Sequence, residues 1–188
     1  EGSNRDRFRA FSPNARVPCL HHDGRVVWDS LAIIEYLAER HDGVWPKDDD
    51  ARAWARSAAA EMHSGFSALR ANRPFNLGIR VEPAFTDTAT AADIARIDEL
   101  WREGLERFGG PWLAGAAFTA VDAFYAPIVF RAQTYGIAFS DAATAYAERL
   151  RALPALKAWE AAGLAETMRE PGHDAEIAGL GRLIADFR

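Results

Sequence analysis

The pattern of apolar and polar positions predicts a short β-hairpin that leads directly into a helix near the start of the chain. Residues 17–20 are mostly apolar, and residues 26–28 are β-branched or aromatic, which favours strands in both segments. Asp23 and Gly24 lie between them and favour the left-handed backbone of a tight turn. Behind the second strand, apolar side chains recur at helical spacing over residues 31–38. We therefore expect strand, turn, strand and helix in this order.

From residue 51 onward the apolar stripes have helical spacing throughout. A glycine, a proline and a run of aspartates mark residues 43–50 as a linker before this part. Predicted helices cover residues 51–71, 91–108, 121–135, 141–152 and 154–167, with a further helical stripe over 173–188. Residues 77–90 are expected to form a loop. The sequence thus predicts an α/β unit over residues 1–42 and an all-α domain over residues 51–188.

Two features of the hairpin and its helix point to a bound ligand. Pro18 removes a backbone donor from its strand, and a cis Val17–Pro18 bond would turn the N–H and C=O of Val17 outward, where an extended peptide can pair with them. With Ser30 as N-cap, the first turn of the helix carries no acidic side chain, so its free N–H groups favour a carboxylate. Asp29 beside it suits an ammonium group. A ligand with a peptide unit and an α-amino acid end fits this surface.

Composition narrows the classes of partner. The chain has 188 residues, with 22 basic and 27 acidic side chains and a net charge of −5, which argues against a nucleic-acid or anionic-membrane partner. No segment is long and apolar enough to suggest a membrane span or a signal peptide. The single cysteine, Cys19, excludes an internal disulfide, and the cytoplasm is the default compartment. The five histidines show no metal-ligand spacing, so we predict no metal.

The run R-V-P-C-L, then D-G, then W-D-S-L-A-I-I-E-Y-L-A-E-R resembles the second half of the N-terminal, thioredoxin-like domain of glutathione S-transferases. The run A-A-A-E-M-H-S-G-F-S-A-L-R at residues 58–70 resembles a helix of one bacterial subgroup of that family. The resemblance implies a partial thioredoxin-like α/β domain followed by an all-α bundle. It also implies that Val17 pairs with the cysteinyl unit of glutathione, that Pro18 is the cis proline, and that Asp29 and Ser30 hold the γ-glutamyl end.

The activity that the resemblance implies is attack of the glutathione thiolate on a small, hydrophobic electrophile, as in detoxification. Glutathione would be the co-substrate, and the protein would be a cytoplasmic homodimer that uses exposed faces of helices 51–71 and 91–108. The electrophile would lie between the domains. Met62, Phe66, Arg70 and Phe124 are candidates for its wall, although core packing or surface exposure also explains each of them.

No catalytic residue is assigned from the sequence. In the family, the serine, tyrosine or cysteine that activates the thiol lies on a first strand-to-helix loop, and we expect that segment to be missing upstream of residue 1. Ser3 and Ser12 have no evident base beside them, and Cys19 is expected to be a buried, small apolar residue. Two alternatives remain open: a non-catalytic glutathione- or ligand-binding protein of the same fold, and a glutathione-dependent isomerase or thiol reductase.

Thr119 and Asp122 form a capping-box pattern before a helix that is apolar on nearly all sides. A carboxylate is tolerated in such a buried helix only if backbone N–H groups use it. The same Ser/Thr-x-x-Asp element recurs at this place in glutathione S-transferases. We interpret Thr119 and Asp122 as folding determinants rather than catalytic residues. Pro127 is expected to kink the helix that they begin.

Overall fold

A computed structural model describes residues 5–188 of the chain; Ser3 lies outside the described residues. Over this range two small antiparallel sheets accompany the helices. The elements are α1 (Arg5–Arg9), β1 (Cys19–His22), β2 (Arg25–Trp28), α2 (Ser30–Ala38), α3 (Asp49–Ser64), α4 (Ser67–Asn72), β3 (Ile79–Pro83), α5 (Thr88–Phe108), α6 (Ala120–Tyr135), α7 (Asp141–Arg151), α8 (Pro154–Ala165), α9 (Pro171–Ala178) and β4 (Gly181–Asp186).

The predicted hairpin is confirmed, with β1 and β2 paired antiparallel from Cys19 opposite Trp28 to His22 opposite Arg25. Its turn uses two residues in the left-handed region, an aspartate at φ 48° followed by a glycine at φ 73°. The strand begins at Cys19 rather than at residue 17, so the residues before it stay unpaired. The hairpin leaves apolar surface uncovered among the described residues: the Trp28 side chain is 44% exposed.

The core lies where α3, α5, α6 and α7 meet. The fully buried indole of Trp101 in α5 packs against the rings of Tyr125 in α6 and Tyr146 in α7, with centroids 5.9 and 5.0 Å away. The hydroxyl of Tyr125 donates to the carbonyl oxygen of Ala58 in α3 at 3.1 Å. The Tyr125 hydrogen bond ties α6 to α3, and α3 also packs against α2, the helix that follows the N-terminal hairpin.

The single helix predicted over residues 51–71 is wrong, because the helix is broken near its end. α3 stops at Ser64, and Phe66 has a left-handed backbone at φ 56° before α4 begins. A carboxylate from α5 supports the new helix start, since Asp93 Oδ2 accepts from the N–H of Leu69 at 2.9 Å. Burial of the Phe66 ring in the core, at 6% exposure, accompanies the left-handed turn.

The loop predicted over residues 77–90 and the helical stripe over 173–188 are wrong in part, since both segments contribute a strand. β3 and β4 pair antiparallel with a bulge, and Phe187 N–H extends the pairing by donating to the carbonyl of Gly78 at 2.7 Å. The β3 side chains Ile79 and Val81 are buried in a small second core. A Cβ atom at Gly181 would lie 2.4 Å from the carbonyl oxygen of Glu82, so glycine is needed for this close pairing.

The Asp122 carboxylate lies at the start of α6 and is fully buried. It accepts hydrogen bonds from the backbone N–H of Thr119 at 2.9 Å, from that of Leu113 at 3.1 Å and from the Tyr146 hydroxyl at 3.0 Å. Burial raises the pKa of Asp122, and these hydrogen bonds oppose that effect. The carboxylate thereby ties the connector before α6 to both α6 and α7, as the folding role requires.

Replacing Thr119 with alanine is expected to lower the free energy of unfolding by about 1 kcal/mol, the usual cost of losing an N-cap side chain. The loss is moderate because the buried Thr119 hydroxyl has the capping-box position but forms no close hydrogen bond, and the Asp122 N–H also reaches the Thr119 carbonyl, at 3.1 Å. Urea denaturation measures the change. The exposed Thr88→Ala variant at the start of α5 is the control and should shift stability by less than about 0.5 kcal/mol. A loss as small as that of the control would contradict the capping role.

Candidate functional site

Helix α2 begins at Ser30, and Asp29 is its N-cap, which corrects the assignment of Ser30 to that position. The Asp29 carboxylate accepts from the N–H of Leu31 at 2.9 Å, and its carbonyl accepts from the N–H of Ile33 at 3.0 Å. Within the described part of the chain, the N–H groups of Ser30 and Ala32 have no acceptor. The first turn carries no acidic side chain, so the helix start retains free donors for an anion.

Asp29 has an unusual backbone conformation, with φ 76° and ψ 132°. A residue other than glycine rarely adopts a positive φ, although aspartate tolerates it better than most. Such a conformation costs on the order of 1–3 kcal/mol and is found preferentially at ligand sites. The strain at Asp29 therefore indicates that the position of its side chain at the helix start matters more than local stability.

The Val17–Pro18 bond is cis, as the family resemblance implies. Val17 is 63% exposed, and its backbone N–H and C=O form no hydrogen bond with another described residue. Cys19 pairs with Trp28 at the open end of the hairpin, so Val17, two residues before β1, and Asp29, directly after β2, both adjoin that end. An unpaired peptide group and the free donors of α2 thus lie at the same end of the hairpin.

A residue that the sequence did not assign joins this end of the hairpin to the helical domain. His63, in the last turn of α3, places Nε2 3.1 Å from Asp29 Oδ2 and Nδ1 3.4 Å from Ser30 Oγ. The ring of Phe124 meets the imidazole edge-on, with a centroid distance of 6.4 Å. His63 lies within the E-M-H-S-G-F run, but the sequence pattern gives no indication that its side chain reaches across to α2.

A second contact fixes α2 against α3. The Arg56 guanidinium binds the Glu35 carboxylate with both Nε, at 3.1 Å, and Nη2, at 2.8 Å. Because two nitrogens of one fork bind two oxygens, this pair resists rotation as well as separation. Helix α2 is therefore held at two places, by His63 near Ser30 and by Arg56 about one turn before the end of the helix.

The four residues proposed for the electrophile wall differ in accessibility. Met62 and Phe66 belong to the main core and are only 3% and 6% exposed, which leaves little of either side chain for a ligand. Phe124 is half-buried beside His63, and Arg70 is exposed on α4. The guanidinium of Arg70 donates to the carbonyl of Met62, at the C-terminal end of α3. Of the four, Phe124 and Arg70 present substantial surface, and Phe124 contacts His63, which reaches the start of α2.

Neither Ser12 nor Cys19 is placed as a nucleophile. Ser12 is buried, and its hydroxyl donates to Asn14 Oδ1 at 2.8 Å. Cys19 is half-buried rather than buried as expected, and its Sγ lies 3.7 Å from His21 Nε2. Both groups contact the carbonyl of Phe11, with Sγ at 3.3 Å and Nε2 at 2.6 Å. The arrangement ties the N-terminal segment to β1.

Metal binding and membrane insertion are two further possibilities for residues 5–188. No group of three His, Cys, Asp or Glu side chains in this range is arranged to hold a metal ion. No helix in the same range combines the length and apolar character needed to cross a bilayer.

Comparison with known proteins places both parts of the chain in one family. The family profile of the glutathione S-transferase N-terminal domain matches residues 1–40, and that of the C-terminal domain matches residues 89–162. A probable maleylacetoacetate isomerase of Caenorhabditis elegans is 28% identical over 138 residues, which cover 72% of this chain and 64% of that protein. Protein IN2-1 homolog A of Oryza sativa subsp. japonica is 28% identical over 123 residues, or 63% and 45% of the two chains.

One solved structure has the same fold as this chain over most of its length. The theta class glutathione S-transferase from Xanthomonas axonopodis pv. citri, with glutathione bound, superposes with a TM-score of 0.59 at 25% identity, over 89% of this chain and 82% of that one. The chain spans less than two thirds of the two curated relatives named above. The predicted architecture, a thioredoxin-like domain followed by a helical domain, is confirmed, and the chain belongs to the glutathione S-transferase family.

Proposed function

We propose that this protein binds glutathione and catalyses attack of the glutathione thiolate on small electrophilic molecules. The observation that carries the proposal is the common location of three complementary groups at one end of the hairpin. They are the unpaired backbone of Val17, the free N–H groups at the start of α2, and the Asp29 carboxylate. Glutathione offers a matching set: a peptide unit, an α-carboxylate and an α-ammonium group.

Each group has a defined role in this proposal. The Val17 N–H and C=O pair with the cysteinyl peptide as an added strand would. The N–H and hydroxyl of Ser30 donate to the γ-glutamyl carboxylate, which the positive end of the α2 dipole also favours. Asp29 accepts from the ammonium. Because His63 contacts both Asp29 and Ser30, it holds these two groups in position and is itself a positioning residue.

The chemical step requires a glutathione thiolate at neutral pH. Hydrogen bonds that favour the charged form lower the pKa of a thiol. The sulfur then attacks an electrophilic carbon and forms the C–S bond. A leaving group departs with its bonding electrons, or, for an activated double bond, a proton adds at the neighbouring carbon. The residues named above orient glutathione, and the thiol-activating group is not assigned to any of them.

Glutathione-dependent isomerisation is the second candidate, because one of the relatives named above is described as a probable maleylacetoacetate isomerase. The two reactions differ in their net consumption of glutathione. An isomerase returns glutathione unchanged, whereas a transferase consumes one thiol for each product. Titration of free thiol during turnover of a substrate separates them. A constant thiol concentration with continuing turnover would favour the isomerase.

We also propose a cytoplasmic homodimer with a role in detoxification. The net charge of −5 and the single cysteine support the compartment. Exposed apolar side chains on the hairpin, such as Trp28, support a partner subunit that covers them. Sedimentation equilibrium measures the oligomeric state, and a monomer at micromolar concentration would exclude the dimer.

Replacing Ser30 with alanine is expected to weaken glutathione binding about tenfold, since one hydrogen bond to a charged carboxylate is lost. Calorimetric titration of the wild-type chain and the variant measures the effect. Ser57→Ala, on an exposed face of α3, is the matched control because its hydroxyl only binds the carbonyl of Ala53. Equal affinities for wild type and Ser30→Ala would refute the assigned site, and absence of any binding to the wild-type chain would refute the proposed function.

A further inference from the structure

Arg131 in α6 is a nearly buried cation without a carboxylate partner. Its side chain is 8% exposed, and its Nε donates to the carbonyl of Arg73 at 2.8 Å. The structure, over its described residues, gives the two terminal nitrogens no acceptor and the guanidinium no ion pair. Burial lowers the pKa of Arg131 to about 10, so the group is still charged at neutral pH. A buried, uncompensated charge is costly, so a group in this state favours an anionic partner.

A second cation lies beside the first. Arg131 binds the carbonyl of Arg73, the C-cap of α4, and Arg70 lies three residues earlier, about one turn of that helix away. The charge of Arg70 lowers the pKa of Arg131 further, after the effect of burial. Arg70 is exposed and also lacks an ion pair within the described range, with its guanidinium at the carbonyl of Met62. The ring of Phe75 flanks Arg131, with the guanidinium carbon 5.4 Å from the ring centroid. Two arginines that form no ion pair with a described carboxylate create a positive potential next to an apolar ring.

The two arginines are connected to the proposed glutathione site. Arg70 binds the carbonyl of Met62, whose neighbour His63 contacts Asp29 and Ser30. On α6, Phe124 touches the ring of His63, and Arg131 follows it by seven residues. Positions separated by seven residues lie on the same face of a helix, about 10 Å apart along its axis. Phe124, next to the proposed glutathione site, and Arg131 therefore lie on the same face of α6.

We propose that Arg70 and Arg131 form an anion-binding subsite for the electrophile, and that the preferred electrophile carries a carboxylate. This inference rests on the proposed function, since the electrophile must reach the sulfur of glutathione bound at Ser30. The carboxylate accepts from the terminal nitrogens of Arg131 and from Arg70. The apolar remainder of the molecule lies against Phe124 and Phe75.

A matched pair of thioether analogues tests the subsite. S-hexylglutathione and S-(5-carboxypentyl)glutathione have chains of equal length and differ only in the terminal carboxylate. We expect the wild-type chain to bind the carboxylate analogue about tenfold more tightly at low salt, the usual strength of a charge-assisted hydrogen bond. In Arg70→Met and Arg131→Met, this preference should fall to about twofold or less, because an unpaired carboxylate gains nothing there.

Arg107→Met on α5 is the control for net charge, and it should keep the full preference for the carboxylate. Circular dichroism establishes whether each variant folds; if Arg131→Met does not, the exposed Arg70→Met decides the outcome. A wild-type chain that binds both analogues equally, or an Arg70→Met variant that keeps the preference, would overturn the subsite while leaving glutathione binding intact. A wild-type chain that binds neither analogue nor glutathione would overturn the proposed function, and the subsite with it.

Discussion

Replacement of Asp122 by alanine is expected to lower the free energy of unfolding by about 4 kcal/mol. The variant leaves three donors without an acceptor, namely the N–H groups of Leu113 and Thr119 and the hydroxyl of Tyr146. Each unsatisfied buried donor costs about 1–3 kcal/mol. Domains of this size are stable by about 5–15 kcal/mol in total, so the variant is expected to be close to unfolding at room temperature.

Urea denaturation followed by circular dichroism measures this loss. Asp141→Ala provides a matched control, because Asp141 lies in the first turn of α7 but is exposed. Its loss should stay below about 1 kcal/mol, the range of a surface charge at a helix start. If Asp122→Ala were no more destabilised than Asp141→Ala, the carboxylate would not be the structural tie between the connector, α6 and α7.

Asp29→Asn is expected to weaken glutathione binding by about 2 kcal/mol, or roughly 30-fold, with little change in stability. The substitution removes the negative charge that the ammonium group needs. It retains a side-chain oxygen for the N–H of Leu31, and asparagine tolerates a positive φ as well as aspartate does. The substitution replaces one carboxylate oxygen with nitrogen, so its effect on glutathione binding can be measured apart from any effect on folding.

Calorimetric titration at neutral pH and urea denaturation of the same samples measure both quantities. Asp23→Asn is the control, since Asp23 also has a positive φ but lies at the exposed hairpin turn. That variant should bind glutathione as the wild-type chain does. An unchanged affinity in Asp29→Asn would remove Asp29 from the site, and a loss of affinity matched by a loss of stability would make its role structural.

Local patterns predicted the elements whose determinants are close together in sequence. The turn at Asp23 and Gly24 and the helix behind it form as expected, because a two-residue loop and an N-cap act within a few residues. The Asp122 cap was likewise predictable from its capping-box spacing. The exact N-cap of α2 was not, since Asp29 and Ser30 are both suitable types and only the backbone angle of Asp29 distinguishes them.

Features that depend on distant residues were missed. The apolar residues of β4 also fit helical spacing, so the pattern predicts a helix there, and only the partner strand resolves the ambiguity. The break between α3 and α4 depends on burial of Phe66 and on Asp93 from another helix. His63 and Arg131 acquire their meaning from the elements that they face, α2 and α4, which no local pattern identifies.

The pairing of β3 with β4 sets an order of events during synthesis. Glu82 and its partner Arg182 are 100 residues apart, so β3 is made long before β4. At a synthesis rate of roughly 5–20 residues per second, Ile79 and Val81 remain without their partner strand for about 5–20 s. The hairpin and α2 have no such delay. A nascent chain therefore has the elements of the proposed glutathione site in place while β3 still exposes an unpaired edge, and mispairing or chaperone capture is expected in that interval.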